Sequence, residues 1–323
     1  MKTIGVFTSG GDAPGMNACL RAVVRTARQF GMQVWGICRG YQGMIEGEFR
    51  TLNMRDVSNI IQLGGTILHS ARSEAFRTPQ GRQRAWENLK ARGIEGLVAI
   101  GGDGTFTGAK AFLEEYPELR IVGAPGTIDN DLYGTDYTIG YDTAINTAMH
   151  AIDHIKDTAN SHDRVFFVEV MGRDAGFIAL ASGIATGAEA VLIPESRTNI
   201  DALVELLRRN IAHKKWANII VVAEGDDEGG AFEVARKVST RLPQIEARVT
   251  VLGHVQRGGR PTCMERIRAS RIGMECVRAL KEGKSGIMVG IVHRDIAYTP
   301  FEQAIKHHQQ INPTLLEIVR ILS

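Results

Sequence analysis

The sequence predicts an α/β protein with two similar lobes, each built on a mainly parallel sheet with helices on both faces. Apolar runs typical of buried strands alternate along the chain with helical segments. Three of these strands end in glycine-rich turns that lead directly into a helix, namely TSGGDAPG, GGDGT and MGRDAG. The 323 residues also exceed the ~250 to 300 at which a single core stops growing, which favours two lobes over one.

The individual elements follow from the spacing of apolar residues. Strands are predicted at residues 2–7, 34–38, 96–100, 119–122, 164–170, 190–193, 218–222, 248–253 and 287–292. Helices are predicted at residues 16–30, 106–115, 143–156, 200–212 and 264–281, with a short helix near the C-terminus. Residues 39–47 are predicted to form a glycine-punctuated loop, and residues 64–84 have no clear helical periodicity.

Composition narrows the class of protein. Hydrophobic residues make up 44% of the chain and charged residues 23%, which are ordinary values for a soluble protein. The formal net charge is +2 and no long run has one sign, so broad binding to nucleic acid or a membrane surface is not indicated. The four cysteines are scattered, with no C-x-x-C spacing and no secretory leader ahead of them. We therefore expect reduced thiols in a cytoplasmic protein.

The stretch GAPGTIDNDLYGTDYTIGY, residues 123–141, is the strongest candidate for function. It follows a buried strand and is rich in turn residues. Asp129, Asp131 and Asp136 come close together in it, and their repulsion is costly unless a cation, hydrogen-bond donors or water surround them. The loop therefore indicates either a metal site with a proton transfer or a solvated turn. Only the rest of the chain can decide between them.

The glycine turns are candidate phosphate sites. In such a turn, backbone N–H groups at the helix start face a phosphate with no side chain in the way. GGDGT also contains an acidic residue, which indicates a metal held beside phosphate. The dinucleotide fingerprint and the Walker loop are both absent from the sequence. A tight turn without a ligand is the alternative.

Arginines and one histidine offer further candidates. Arg21, Arg25 and Arg28 share one helix face, and residues 64–84 contain four arginines, which suit an anionic ligand on a loop or are simply solvated. His254 lies just past a strand and is either functional or structural. The sequence has no H-E-x-x-H, Cys/His cluster or G-x-S-x-G, so neither a zinc site nor a hydrolase triad is indicated.

Taken together, TSGGDAPGMN, GGDGT, PGTIDND, VEVMGR and LGHVQRGG resemble the bacterial type of 6-phosphofructokinase, in this order and at these separations. The resemblance extends from residue 3 to about residue 292. It implies transfer of the γ-phosphoryl group of ATP to the 1-hydroxyl of fructose 6-phosphate, with Mg²⁺ required. It also implies two similar Rossmann-like lobes with the active site in the cleft between them.

The resemblance assigns catalytic roles. Asp129 corresponds to the base that accepts the proton of the attacking hydroxyl, a contribution worth ~10²- to 10⁴-fold in rate. Asp103 and Asp131 correspond to the carboxylates that hold Mg²⁺. The donors around the transferring phosphoryl group correspond to Arg72, Arg173, Thr127 and the backbone N–H of Gly11.

Each substrate has its own implied set of contacts. The ATP side comprises Gly11, Tyr41, Arg72, Ser73, Arg77, Gly102, Asp103, Gly104, Thr105 and Gly108. The sugar side comprises Thr127, Ile128, Asp129, Met171, Gly172, Arg173, Glu224, His254 and Arg257. Arg164 and Arg248 are expected to reach in from a neighbouring subunit, which implies an oligomer, commonly a homotetramer in this family.

The same resemblance gives the expected domains and phosphoryl donor. Residues 1–140 plus about 256–304 would form the larger ATP-binding lobe, and 141–255 plus about 305–323 the smaller fructose 6-phosphate-binding lobe. Pyrophosphate-using relatives have an Asp after GGD and a Lys before TIDND, whereas this chain has Gly104 and Gly126. The smaller residues leave space for an adenosine diphosphate moiety, so ATP is the expected donor.

A regulatory site is implied less completely. The matching candidates are Arg21, Arg25, Arg55, Lys156, Gly187, Glu189 and Lys215. Met54 and Lys156 stand where arginines are common, and Ala217 where a histidine is usual. Because bidentate and neutral donors are lost, we expect weaker or altered control by ADP or phosphoenolpyruvate.

Three alternatives remain at this point. The nearest is the same sugar kinase using pyrophosphate. GGDGT alone also occurs in lipid and NAD kinases, although these lack the later motifs. A catalytically silent sugar-phosphate-binding regulator is the third, and its signature would be loss of Asp129 or Asp103, which are both present.

Overall fold

The computed structural model describes residues 1–159, 164–215, 217–307 and 309–322. Within these residues the chain divides into two compact units. The first comprises Met1–Ile128, Leu132–Thr143 and Arg257–Gln309. The second comprises Asp129–Asp131, Ala144–Gln256 and the C-terminal segment from Gln310.

Twelve strands and eleven helices are formed by the described residues. The strands β1 to β12 are, in order, Thr3–Thr8, Gln33–Ile37, Phe49–Thr51, Gly96–Gly101, Arg120–Thr127, Ile139–Gly140, Arg164–Val170, Ala190–Leu192, Asn218–Ala223, Glu246–Val251, Ile287–Val292 and Asp295–Pro300. The helices α1 to α11 are Met16–Gln29, Gly40–Glu46, Pro79–Ala91, Asp103–Glu115, Tyr141–Ala159, Phe177–Thr186, Ile200–Ala212, Ala231–Arg241, Cys263–Lys281, Phe301–Lys306 and Pro313–Leu322. Two 3₁₀ helices span Ala75–Arg77 and Gly253–Arg257.

The first unit is built on an eight-stranded, mainly parallel sheet. Its order is β12-β11-β5-β4-β1-β2-β3, with β6 paired to β5. Strands β3 and β12 are antiparallel to their neighbours at the two ends. Thr8 is level with Ile100, and Gly101 is level with Pro125. The carboxyl ends of β1, β4 and β5 therefore lie together, and the loops that follow these strands leave from one edge of the sheet.

The second unit is built on a four-stranded parallel sheet of order β10-β7-β9-β8. The last residue of β7, Val170, is level with Ala223 of β9, and Glu169 is level with Val251 of β10. This register again brings three loops to one edge, those after β7, β9 and β10. The predicted fold class of two α/β lobes with mainly parallel sheets is confirmed.

Both cores are apolar and fully covered. In the first unit, Phe7, Phe106 and Phe301 are buried, and the rings of Phe106 and Phe301 stack at 5.1 Å between centroids. In the second unit, Phe167 and Leu207 are 0% exposed within a core of branched aliphatic residues. Strands β1, β4, β7 and β9 are thus buried on both faces, whereas β10 is partly exposed.

Several segments differ from the sequence expectation, and α8, β3, β6 and β12 were not predicted. Residues 39–47, predicted as a loop, contain α2, which ends at Gly47 in the left-handed conformation. The last six residues of 64–84 belong to α3, whose first turn is capped by the Thr78 side chain and begins with Pro79. Both helices are polar on much of their surface, so apolar periodicity did not reveal them.

The start of α5 is anchored by a buried carboxylate. Glu265 on α9 is 1% exposed, and its Oε2 accepts hydrogen bonds from Thr143 N and Oγ1 at 3.2 and 3.3 Å. Next to this pair, Asp142 accepts a hydrogen bond from Thr262 Oγ1 and forms an ion pair with Arg268 at 3.2 Å. Burial raises the pKa of Glu265 to about 7, although hydrogen bonds from Gly140 and Thr143 oppose the rise.

This carboxylate gives a pH-dependent contribution to stability. The folded-state pKa of about 7 lies above the ordinary 4.5, so the folded protein binds the extra proton between these values. The contribution of Glu265 to the free energy of unfolding therefore falls as pH rises from 4.5 to 7, by up to roughly 1.4 kcal/mol per pH unit. We expect Glu265→Gln to remove this slope in urea unfolding at pH 5, 6, 7 and 8. The exposed Glu302→Gln is the control, and a slope that persists in Glu265→Gln would contradict the assignment.

Candidate active site

The first glycine turn, between β1 and α1, is tightly covered. A Cβ at Gly11 would lie 2.5 Å from Arg257 Nη1, so this guanidinium packs directly over the glycine. The same Nη1 donates a hydrogen bond to the Asp12 carbonyl at 3.3 Å. The predicted sugar contact Arg257 is therefore held against the phosphate-type turn of the first unit, where its positive charge adds to the field of the helix N-terminus.

The GGDGT turn lies beside the first turn. A Cβ at Gly101 would come within 2.7 Å of the Ser9 carbonyl, and one at Gly102 would lie 3.5 Å from Thr127 Cβ. The turn after β4 therefore contacts both the loop after β1 and the end of β5. Helix α4 begins with Asp103, and its N-cap is Gly102, which has no side chain to cover the first N–H groups. This arrangement leaves room for an anion at the start of α4.

Tyr41 packs against the GGDGT turn and the start of α4. Its ring is 5% exposed and stacks on Phe76 at 3.9 Å between centroids. Its hydroxyl donates a hydrogen bond to the Thr105 carbonyl at 2.6 Å, and burial raises its pKa. A Cβ at Gly108 would lie 3.0 Å from the same ring. Two of the predicted ATP-side residues, Tyr41 and Gly108, thus pack against each other next to the GGDGT turn.

The arginines of residues 72–84 differ in their contacts. Arg82 forms an ion pair with Glu115 at 2.5 Å and donates to the carbonyls of Phe76 and Arg77. The hydrogen bond with Glu115 raises the pKa of Arg82. Arg82 is therefore structural, whereas Arg72 precedes α3 in the loop with Ser73.

Two predicted ATP-side residues near Arg72 have local contacts. The Ser73 hydroxyl donates to Gln42 Oε1 at 2.7 Å and accepts from the Phe76 N–H at 3.2 Å. Arg77 is exposed and forms an ion pair with Glu74 at 3.3 Å. The loop that carries Arg72 is thus fixed on both sides by hydrogen bonds.

The central acidic loop is buried at residues 128–130. Ile128, Asp129 and Asn130 are between 0 and 4% exposed, and Asn130 has a left-handed φ of 56°. Further along, Asp136 Oδ2 accepts a hydrogen bond from the His293 N–H at 2.8 Å. Asp136 therefore anchors the loop, which separates it from the other two acidic residues of the sequence cluster.

The residues present fit Mg²⁺ in a phosphate-assisted site. Among the residues that the structure describes, no group of three or more His, Cys, Asp or Glu converges as a metal site. Mg²⁺ at phosphoryl-transfer sites needs only one or two carboxylates, because phosphate oxygens and water complete its coordination. Asp103, in the first turn of α4, supplies an oxygen donor of the required kind.

In the second unit, the turn after β7 has an unusual backbone. Gly172 has φ 146° and Arg173 has φ 55°, a left-handed conformation that is uncommon for a non-glycine residue. Glu224, at the end of β9, accepts hydrogen bonds from both of their N–H groups at 3.2 and 2.7 Å. The carboxylate therefore fixes the backbone from which the Arg173 side chain extends.

Strands β7 and β10 carry the two arginines predicted to serve a neighbouring subunit. Arg164 Nε lies 3.0 Å from Glu246 Oε2, and Arg248 also forms an ion pair with Glu246. The adjacent Arg164 guanidinium is the largest cause of a lowered pKa of Glu246. His254 is exposed on the 3₁₀ helix Gly253–Arg257 that follows. The structure thus places Arg164 and Arg248 at one carboxylate that sequence reasoning missed.

Residues 3–280 match the phosphofructokinase family. The chain belongs to this family. A relative from Thermus thermophilus named ATP-dependent 6-phosphofructokinase 1 is 57% identical over 100% of both chains. One from Cytophaga hutchinsonii named ATP-dependent 6-phosphofructokinase is 54% identical over 100% of this chain and 98% of that protein. The resemblance recognised in the sequence motifs is confirmed.

A solved phosphofructokinase structure from Saccharomyces cerevisiae supports the same fold. It is 38% identical, with a TM-score of 0.90 over 95% of this chain. This chain spans 45% of the length of that yeast chain. No described helix is long and apolar enough to cross a membrane.

The candidate effector residues of this phosphofructokinase-family chain fall into two groups. In the first unit, Arg21 and Arg25 share a face of α1, and the pKa of Arg21 is lowered by desolvation and then by the Arg25 charge. In the second unit, Lys215 forms an ion pair with Glu189, whose side chain is 3% exposed. Lys156 Nζ donates to the carbonyl of Gly187 at 3.4 Å. Glu189 and Lys156 therefore already have partners within the chain.

Proposed function

We propose that this protein is an ATP-dependent 6-phosphofructokinase of glycolysis. It would transfer the γ-phosphoryl group of MgATP to the 1-hydroxyl of fructose 6-phosphate, giving fructose 1,6-bisphosphate and ADP. The observation that carries the proposal is the complete motif set on a chain that is 54 and 57% identical, over its full length, to proteins named for this activity.

The two units would divide the substrates. ATP would bind at the carboxyl edge of the first unit, which corresponds approximately to the predicted lobe of residues 1–140 plus 256–304. Support comes from the contacts of the turn after β4 with the loop after β1 and the end of β5, and from the uncapped start of α4. The sugar phosphate would bind at the edge that carries Met171, Gly172, Arg173 and Glu224, which belongs to the predicted lobe of residues 141–255 plus 305–323.

The chemistry follows from the side chains. Asp129 would accept the proton of the 1-hydroxyl as its oxygen forms the new bond to phosphorus, and the bond from phosphorus to the ADP oxygen breaks. Arg72, Arg173, Thr127 and the Gly11 N–H would stabilise the charge on the transferring group. Asp103 and Asp131 would hold Mg²⁺, which when bound neutralises phosphate charge.

The space at one of two glycine positions supports ATP over pyrophosphate as the phosphoryl donor. At Gly104, a Cβ would meet no atom of the described residues within 4 Å, so the position opens onto free space. At Gly126, a Cβ would lie 3.0 Å from Met16 Cε and 3.1 Å from the Gly101 nitrogen. The space at position 104 is therefore available to a bulky nucleotide.

Gly104→Asp is expected to lower kcat/KM for ATP by ~10²-fold without unfolding the protein. The new side chain enters open space, so the fold tolerates it, but its charge repels the nucleotide phosphates. Steady-state kinetics with ATP and thermal unfolding measure the two effects. The control is Ala202→Asp, which adds the same charge at an exposed position on α7. Unchanged ATP kinetics in Gly104→Asp would contradict the placement of ATP.

We further propose that the protein acts as a cytoplasmic homotetramer. Arg164 and Arg248 would each complete a neighbouring subunit's site by binding the sugar 6-phosphate. Their convergence on Glu246 supports this, because two guanidinium groups at one point suit a dianionic phosphate. Light scattering measures the subunit number, and a fully active monomer would contradict the shared site.

Regulation by nucleotide effectors is expected to be weak. Glu189 is neutralised by Lys215, and Lys156 donates to carbonyls, so neither is open to a new ligand without exchange of partners. Titrating ADP and phosphoenolpyruvate at sub-saturating fructose 6-phosphate should change the rate less than about twofold. A strong response to either would show that these contacts exchange readily.

A coupled assay tests the main proposal. Purified protein is incubated with Mg²⁺ and fructose 6-phosphate, with either ATP or pyrophosphate as donor. We expect turnover with ATP and none above background with pyrophosphate. Turnover only with pyrophosphate would identify the other donor class, and binding of the sugar without turnover would identify a silent regulator.

A further inference from the structure

A buried glutamine joins two loops at the carboxyl edge of the second unit. Gln256 is 0% exposed and lies in the 3₁₀ helix Gly253–Arg257, which also carries His254. Its Oε1 accepts a hydrogen bond from the Met171 N–H at 3.2 Å, 85 positions away in sequence. Its Nε2 donates to the carbonyl of Gly253 at 3.0 Å. Both ends of the amide are therefore used inside the protein.

The loop that Gln256 reaches depends on such anchors. Gly172 and Arg173 both have positive φ, and at Arg173, which is not a glycine, this conformation persists only where its surroundings hold it. Glu224 holds the N–H groups of these two residues. Gln256 accepts from the preceding N–H group, that of Met171. Two side chains therefore bind three consecutive backbone N–H groups. The start of the turn, at Met171, depends on Gln256.

We propose that Gln256 is a positioning residue for the sugar-phosphate side, which sets the placement of the Met171–Arg173 turn against the segment that carries His254. This inference rests on the proposed function, because these loops are the proposed sugar contacts. With no exposed surface, Gln256 acts on a ligand only through the two backbones that it joins.

The position requires an amide of this length. One atom must accept from an N–H while another donates to a carbonyl, and a glutamine side chain supplies both. Leucine supplies neither, and asparagine is one methylene shorter. An ionised glutamate can only accept hydrogen bonds, so its second oxygen would be repelled by the Gly253 carbonyl oxygen. A protonated glutamate can donate to that carbonyl again.

Gln256→Glu therefore tests the role through pH. Burial raises the pKa of the new carboxyl, so it is protonated at low pH and ionised at high pH. We expect the KM for fructose 6-phosphate, relative to wild type at the same pH, to rise about tenfold at pH 8 and to return towards wild type at pH 6. The KM for ATP should change little. Gln256→Leu should raise the KM for fructose 6-phosphate at every pH.

Two controls separate positioning from general destabilisation. Gln303→Glu makes the same change at an exposed site and should leave both KM values near wild type. A merely structural role for Gln256 would instead lower thermal stability or kcat without a selective rise in the KM for fructose 6-phosphate. Equal changes in the two KM values, or a sugar KM independent of pH in Gln256→Glu, would overturn the proposal.

Hydrogen exchange separates this proposal from the proposed function. In Gln256→Glu at pH 8, amides of residues 170–174 should exchange faster than in wild type, while those of residues 96–110 should not change. If wild type lacks activity on fructose 6-phosphate but this pattern appears, the proposed function fails and the anchoring of the turn stands. Unchanged exchange at residues 170–174 would overturn the positioning role even in an active enzyme.

Discussion

Asp129→Ser is expected to lower kcat by ~10²-fold or more, because serine cannot accept the proton of the attacking hydroxyl at neutral pH. Asp129 is 4% exposed, and the residues on either side of it are also buried, so the position of the carboxylate is set by the fold. The substitution leaves the proposed ATP loops intact. The KM for ATP should therefore change much less than kcat.

Steady-state kinetics with ATP and fructose 6-phosphate measure this effect, and thermal unfolding checks that the variant folds. Asp153→Ser is a matched control, because Asp153 is exposed on α5 and far along the helix from its first turn. A variant at Asp129 that folds normally and keeps kcat within a few-fold of wild type would show that another group takes the proton.

Arg173→Ala is expected to lower kcat by ~10²- to 10³-fold, the usual effect of removing one preorganised donor from a developing charge. The Arg173 backbone is held in a left-handed conformation by Glu224, so the side chain projects from a fixed point. Alanine keeps the Arg173 N–H that Glu224 binds but removes the guanidinium. Arg173→Lys should recover only part of the rate, because an ammonium lacks the planar pair of donors.

The control for this prediction is Arg208→Ala, which removes an exposed arginine on α7. The activity of that variant should equal that of wild type. If Arg173→Ala changed only the KM for fructose 6-phosphate and left kcat intact, Arg173 would bind the ground state of the sugar instead of the transferring group.

Much of the fold was predictable because its signals are local. Buried parallel strands are continuous apolar runs, as in Arg164–Val170, and their glycine turns mark where each strand gives way to a helix. The helices α2 and α3 were missed because their starts are set by backbone geometry at Arg39 and capping by Thr78, which apolar periodicity does not report.

The candidate site residues also divide into those with a local sequence signal and those without one. Asp129, Asp103 and Arg173 could be predicted as site residues because they lie within short motifs with fixed spacing. Gln256 and Glu246 were missed. For Glu246 there was a usable signal, because it lies two residues from Arg248 and so on the same face of the strand. Gln256 gives no such signal, because its partner Met171 is 85 positions away.

By itself, the sequence determined the α/β class, the family and most of the strands and helices, and it predicted which side chains are chemically suited to a phosphate, a metal or a sugar. The tertiary structure alone decided which of these groups are free and which are already engaged. Arg82, Asp136 and Glu189 are chemically suited to a ligand, yet contacts with distant residues hold them. The reason is physical: a side chain's charge is encoded locally, whereas its burial and its partners are set by how the strands and helices pack.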